Sequence, residues 1–279
     1  MKKKNILIAD SGSTKTDWLL LSDGSEKRLQ TAGINPVVQP QEVIDETLRQ
    51  LLTQIDEAEV SELHFYGAGV MGDYRELMIH RLRELFPQTE TIEAESDLLG
   101  AARAVCEREE GIACILGTGS NSCHYDGQTI VSNIPPLGYI LGDEGSGAAL
   151  GKLFLNALLK GDLPQSMLED FYETTRLTYQ DIIRRVYREP LANRFLASTS
   201  LYIHAHAHKE GIRELIVQNF QAFFSKNVLK YGRRDLPVSA VGSIAQAYEP
   251  YFREVAQDCG LQIGRIMKSP IDGLRIYHG

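Results

Sequence analysis

Apolar positions along the chain alternate between short runs and helical stripes. Residues 5–9 (NILIA) form an apolar run, which the turn-rich Asp10-Ser11-Gly12-Ser13-Thr14 breaks. Trp18 to Leu21 is apolar again, and Ser22-Asp23-Gly24-Ser25 reads as a tight hairpin turn, so the chain opens as a β-meander. Residues 41–55 place Val43, Ile44, Leu48, Leu51, Leu52 and Ile55 at helical spacing. The strand-like Leu63-His64-Phe65-Tyr66 runs into Gly67-Ala68-Gly69, and a helix over 74–86 stops before Pro87. A short strand over 91–95 leads into Ser96-Asp97-Leu98-Leu99-Gly100, which opens a helix extending to Glu110.

The pattern then starts again. Ile112 to Leu116 is an apolar strand, followed by Gly117-Thr118-Gly119-Ser120-Asn121, a second strand at Ser122–Tyr125, the turn Asp126-Gly127 and a third strand at Thr129–Val131. Gly12-Ser13-Thr14 stands 107 residues before Gly119-Ser120-Asn121, and Asp23-Gly24 stands 103 before Asp126-Gly127. Element order and loop chemistry agree, which predicts two related meander-led α/β domains. Helix gives way to strand near 105–111, so the domains are read as 1–108 and 109–279. After Gly145 the chain reads as mostly helical to Tyr231. A last strand, Val238 to Val241, reaches Gly242-Ser243, and one helix from Ile244 to Cys259 follows.

Composition narrows the function classes. Of 279 residues, 43% are hydrophobic and 24% charged, which excludes a disordered or fibrous chain. The net charge of −8 argues against nucleic acid as a partner, because such a groove needs a basic footprint. The basic run Lys2–Lys4 reads as a solvated terminus. Only Ile6 to Ala9 are apolar before Asp10, too few for a signal peptide, and no stretch approaches the roughly 18–20 apolar residues of a membrane span. Cys106, Cys114, Cys123 and Cys259 have no C-x-x-C spacing and suit a reduced compartment, so the expected location is cytoplasmic.

Candidate chemistry lies in the loops. A tight Gly/Ser/Thr loop between strands exposes N–H groups and hydroxyls to phosphate oxygens, and two such loops heading duplicated domains point to a polyphosphate held between them. Gly242-Ser243 after a strand suits close approach of a base or ribose to the backbone. Gly145 to Lys152 imitates a phosphate-binding P-loop, but Ser146 stands where a Gly-initiated pattern needs Gly and Leu153 where Ser or Thr is needed. A G-x-G-x-x-G dinucleotide fingerprint is absent.

Three segments together resemble a known family. Asp10 to Thr16, Leu116-Gly117-Thr118-Gly119-Ser120-Asn121 and Gly142-Asp143-Glu144-Gly145-Ser146 are similar to the phosphate loops and signature of N-acetylglucosamine kinases. Those kinases belong to the actin-like ATPase and sugar-kinase superfamily, beside the activator ATPases of benzoyl-CoA-reductase type. The resemblance runs from Ile6 to Gly273. It implies two ribonuclease-H-like (actin-like ATPase) domains with an interdomain cleft, ATP and Mg²⁺ as cofactors and a hexose as substrate; a homodimer is the expected assembly. By the same resemblance Asp10 faces the metal, and Ser11, Gly12, Ser13, Thr14 and Lys15 face the phosphates. Thr118, Gly119 and Ser120 take the other side of the triphosphate. Gly242 and Ser243 match the adenosine loop, where many relatives have Gly-Gly. Asn35, Asn121 and Asp143 lie on the sugar side, and Asp97 matches the catalytic carboxylate.

The residues themselves admit plainer readings. Asp97 at a helix start reads equally as an N-cap, and Asp143 as a cap with an acidic first turn. Asp10 reads as an Asx-turn residue, although an acid beside a phosphate loop is repelled unless a cation intervenes. Asn35 before Pro36 is a turn residue on backbone grounds. His204, His206 and His208 lie on an amphipathic helix with no third ligand in view and read as surface histidines. Phe220, Phe223 and Phe224 read as core. The function expected is ATP-dependent phosphorylation of the 6-hydroxyl of N-acetylglucosamine, with N-acetylmuramic acid the next substrate. The alternatives are an activator ATPase with a cluster shared in a dimer, for which the cysteines form no motif, and a catalytically silent sugar or nucleotide sensor.

Overall fold

A computed structural model describes residues 5–12, 14–22, 24–56 and 60–279 of the chain. Ser13, Asp23 of the first hairpin turn and the run Lys2–Lys4 lie outside the described residues. Two compact units emerge. The first extends to Glu109 and takes in Asp126–Ile130 and Ser269–Gly279; the second holds Glu110–Tyr125 and Val131–Lys268.

The first unit is built on a five-stranded sheet. Its strands are β1 (Ile6–Ser11), β2 (Lys15–Ser22), β3 (Ser25–Ala32), β4 (Glu62–Gly67) and β5 (Thr91–Ser96), in the order β3-β2-β1-β4-β5. β2 and β3 run antiparallel as the meander, whereas β4 and β5 run parallel to β1 and need helical crossovers. Helix α1 (Gln41–Leu52) buries Ile44, Leu48 and Leu51 on one face, as the spacing requires. Helix α2 (Asp73–Leu85) ends before Pro87, and α3 (Asp97–Cys106) ends at Glu107, whose φ of 54° breaks the helix short of the expected Glu110. β1 is apolar without alternation because it is covered on both faces. Leu7 and Ala9 join the larger core with Trp18 and Phe65, while Ile6 and Ile8 join a smaller cluster with Tyr66 and Leu274.

The second sheet repeats the topology. Its strands β6 (Gly111–Leu116), β7 (Ser120–Tyr125), β8 (Ile130–Asn133), β9 (Val238–Val241) and β10 (Ile263–Met267) lie in the order β10-β9-β6-β7-β8. Here too the first strand pairs antiparallel with the second and parallel with the fourth. A one-turn helix α4 (Gly138–Leu141) precedes α5 (Gly147–Lys160), and shorter helices then lead to α10 (Glu210–Lys226). Phe220, Phe223 and Phe224 are fully buried core, as expected.

Two expectations are corrected here. The strand at 238–241 is not the last, because β10 pairs parallel to β9 as an edge strand; Gly264 and Arg265 interrupt its apolar pattern and hid it. The helix expected over 244–259 is two helices, α11 (Ser243–Ala247) and α12 (Glu249–Asp258), with Tyr248 between them. Pro250 in the first turn of α12 has no N–H to continue the earlier helix, so the chain restarts. A closing helix α13 (Ile271–His278) packs on α3 in the first unit. Among the described residues, no helix is long and apolar enough to cross a membrane.

Candidate active site

Strand register assembles the first unit's half of the chemistry. Ser11 pairs with Gly67 and Gly67 with Ser96, so the carboxyl ends of β1, β4 and β5 finish level. Asp10 and Asp97 are thereby delivered to one edge of the sheet, the edge where open α/β sheets bind ligands. Ser96 caps α3, its Oγ accepting from Leu99 N–H at 3.2 Å, so Asp97 is not the N-cap. The Asp97 Oδ1 accepts from Leu98 N–H at 2.9 Å, and burial pushes its carboxyl above the usual carboxylate range. Asp10 is pushed up to about 7, first by burial and then by the charges of Asp97 and Asp17. Lys15 and the Ser269 hydroxyl pull it back down.

The first loop is tied to the Gly33-Ile34-Asn35 segment. The Ser11 side chain is fully buried, with Oγ donating to Ile34 O at 3.0 Å and accepting from Ile34 N–H at 3.0 Å. Its hydroxyl also meets Thr16 Oγ1 at 2.7 Å, so it is turned inward, away from the loop's exposed side. Gly12 N–H donates to Lys15 O, and Thr14 is exposed. The Lys15 ammonium reaches Asp17 Oδ2 at 2.7 Å. Asn35 forms an Asx turn, its Oδ1 accepting from Val37 N–H at 3.1 Å, while Nδ2 donates to no described residue. The turn bond through Oδ1 therefore leaves the Nδ2 donor without a partner among the described residues.

The second unit gathers its candidates at the ends of β6 and β9. Gly117 and Thr118 carbonyls accept from Gly147 and Ala148 N–H, the first turn of α5, while Thr118 and Gly119 N–H donate to no described residue. Burial pushes the Asp143 carboxyl above the usual carboxylate range, with the Ser120 backbone acting against it. Asp143 itself sits at φ 55°, a left-handed conformation uncommon for a non-glycine residue and frequent at functional sites. Ser146 caps α5 by accepting from Ala149 N–H at 3.0 Å, so Asp143 is not the cap. Asn121 Oδ1 accepts from Ser122 N–H and Asn133 Nδ2, both at 2.9 Å. Gly242 has φ 126°, and a Cβ there would strike the Leu116 carbonyl; Ser243, exposed, opens α11.

One group in the first unit was not read from the sequence. His64 Nδ1–H donates to Glu93 Oε2 at 3.0 Å, and the His64 and His278 rings stack at 3.7 Å with 23° between planes. The three residues offer ligand atoms within 4.8 Å of one another. Arg103 donates to Glu93 Oε1 at 2.9 Å, so both Glu93 carboxylate oxygens are hydrogen-bonded. In the His204, His206 and His208 segment, His206 Nδ1 lies 2.9 Å from Tyr202 O, and His204 packs edge-on to Tyr248.

Duplicated meander-led sheets with Gly/Ser loops at their strand ends define an α/β protein of the actin-like ATPase fold. A structure from Porphyromonas gingivalis assigned as an N-acetylglucosamine kinase is 46% identical, with TM-score 0.95 over 98% of each chain. One from Chromobacterium violaceum with the same assignment shares the fold at 17% identity and TM-score 0.72, over 99% of each chain. A hexokinase of the ROK group from Thermus thermophilus shares it at 15% identity and TM-score 0.53, over 99% of this chain and 98% of that one. Neither a protein-family profile nor a curated protein sequence matches the chain. The chain belongs to the N-acetylglucosamine kinase family and is an enzyme of the sugar-kinase class.

Proposed function

We propose that the protein transfers the γ-phosphoryl group of ATP to the 6-hydroxyl of N-acetylglucosamine or a closely related amino sugar. The observation that carries this is Asp97: with Ser96 occupying the cap, its raised carboxyl is left at the strand edge beside Asp10. A carboxylate whose proton affinity burial raises above the usual range suits a general base, and such help is worth roughly 10²–10⁴ in rate. Asp97 accepts the proton of the sugar hydroxyl as it attacks. Asn35 donates its Nδ2 to the sugar, and Asp143 and Asn121 stand on the sugar side.

The second loop fits a triphosphate, since Thr118 and Gly119 offer N–H groups without partners among the described residues, with Ser120 beside them. In the first loop Ser11, Gly12, Ser13, Thr14 and Lys15 flank the phosphates, with the Ser11 hydroxyl in the buttress behind them. Gly242 and Ser243 receive the adenosine, glycine being required where the backbone meets Leu116. Two carboxylates that raise proton affinity at one edge form a hard-oxygen site suited to Mg²⁺, held through Asp10. When bound, Mg²⁺ supplies charge neutralisation to the phosphates. Residues 1–108 and 109–279 are the two duplicated halves in this reading. Cys114 and Cys123 are fully buried, which removes them as ligands of a cluster shared between subunits. Turnover of ATP against a panel of hexoses, N-acetylglucosamine and N-acetylmuramic acid among them, tests the substrate; equal rates with plain glucose would overturn it.

A further inference from the structure

We infer that Gln39 is the positioning residue that sets the Asn35 amide for the sugar. The inference rests on the reading of Asn35 as a sugar ligand and adds a residue to it. Asn35 lies outside any helix or strand, in a segment held by turn and side-chain bonds in place of a ladder. Gln39 makes three of these bonds, two through its side chain and one through its backbone. Its Oε1 accepts from Asn35 N–H at 2.7 Å, its Nε2 donates to Gly33 O at 2.9 Å, and its own N–H donates to Asn35 O at 3.1 Å. One carboxamide therefore closes the loop from both sides of Ile34, using its acceptor and its donor together.

The rest of the segment shows why this matters for the Asn35 side chain. Ile34 is anchored to Ser11 at the end of β1, which fixes the loop's base but not the residue after it. The Asn35 carboxamide lies against Gly69, where φ is 79° and a Cβ would stand 2.6 Å from Asn35 Oδ1. With Oδ1 held by Val37 N–H and the amide pressed on Gly69, the direction of Nδ2, which donates to no described residue, follows from the backbone of Asn35. That backbone is what Gln39 holds. Glutamate keeps the acceptor for Asn35 N–H but sets an anion against the Gly33 carbonyl, so the pairing asks for an amide.

The test is a double-mutant cycle read by steady-state kinetics on the full-length enzyme with N-acetylglucosamine and ATP. Gln39→Leu raises the KM for sugar about tenfold, the scale of a lost net hydrogen bond, and leaves kcat and the KM for ATP within about twofold. Gln39→Glu, the milder variant, raises it less, and in an Asn35→Ala background Gln39→Leu adds nothing further. An Asn35→Ala enzyme with unchanged KM for sugar would refute the sugar-ligand reading itself. If Asn35→Ala raises KM while Gln39 variants do not, or if the two effects add in full, the positioning role is refuted and the ligand reading stands. A fall in kcat, ATP affinity and melting temperature together in both Gln39 variants would show general scaffolding and overturn the inference.

Discussion

The charge of Asp97 bears on Asp10 from across the carboxyl edge of the first sheet, adding to burial in pushing the Asp10 carboxyl up to about 7. Two acids so placed are costly alone, because each disfavours the ionised form of its neighbour. Their proximity becomes favourable when a divalent cation is shared between protein and phosphates. The pair thus links the metal side of the site to the residue proposed to take the hydroxyl proton.

Asp97→Asn should abolish phosphoryl transfer, by at least about 10²-fold in kcat, while sugar and ATP binding and the melting temperature stay near normal. Ser96→Ala should do the reverse, costing about 1 kcal/mol of stability through the lost cap with a smaller effect on kcat. Thermal melts and steady-state kinetics on both variants separate the roles. Unfolding of Asp97→Asn, with Ser96→Ala silent, would return Asp97 to a structural part.

Asp10→Ala should raise the Mg²⁺ concentration needed for half-maximal activity. One of the few acids at the strand edge is then gone. A magnesium titration at saturating ATP reads it, and an unchanged midpoint would remove Asp10 from the metal site.

Acid should destabilise the first unit through His278. Burial drives its imidazole down to about 3, with the neighbouring His64, Arg103 and Arg108 acting in the same direction and Glu93 opposing them. Tyr66 OH donates to its Nε2 at 2.8 Å, and Tyr277 packs edge-on beside it. A histidine with a depressed folded value binds its proton mainly when unfolded, so stability is full above about 6.5 and falls as pH drops toward 3. Glu93, held down near 2 by hydrogen bonds from His64 and Arg103, adds its own loss below about 4.5. Melts between pH 7 and 4.5 should show a loss of up to about 2 kcal/mol, and His278→Gln should flatten that window. An equally steep loss in the variant would assign it to other groups.

Much of this was legible because residue type and spacing carry the physics. Gly12, Gly119 and Gly242 end apolar runs and so mark loops, and the repeat of meander and loop announced two sheets of one topology. The edge strand β10 was not legible, since Gly264 and Arg265 erase its alternation. Nor was the inward turn of the Ser11 hydroxyl, whose partner Ile34 lies 23 residues away. The contact of Tyr66 with His278 spans 212 residues, beyond any local pattern. Capping was legible in part: Ser96 precedes Asp97 and Ser146 follows Asp143, yet only the hydrogen bonds decide which residue caps.

Gly242→Ala should weaken ATP. The substitution forces a side chain into a backbone conformation of φ 126° and onto the Leu116 carbonyl. A stability loss of about 1–3 kcal/mol should accompany a raised KM for ATP with sugar KM little changed. Wild-type nucleotide affinity in a folded variant would separate this loop from the adenosine site.

The central claim is that phosphoryl transfer goes to a sugar hydroxyl and not to water, with Asp97 as its base. Its most direct test measures ADP release and sugar phosphate together, with and without N-acetylglucosamine. The account predicts negligible ADP without sugar, and with it one 6-phosphorylated sugar per ADP. Rapid ADP release that ignores the sugar, or ADP formed without any phosphorylated sugar, would contradict it.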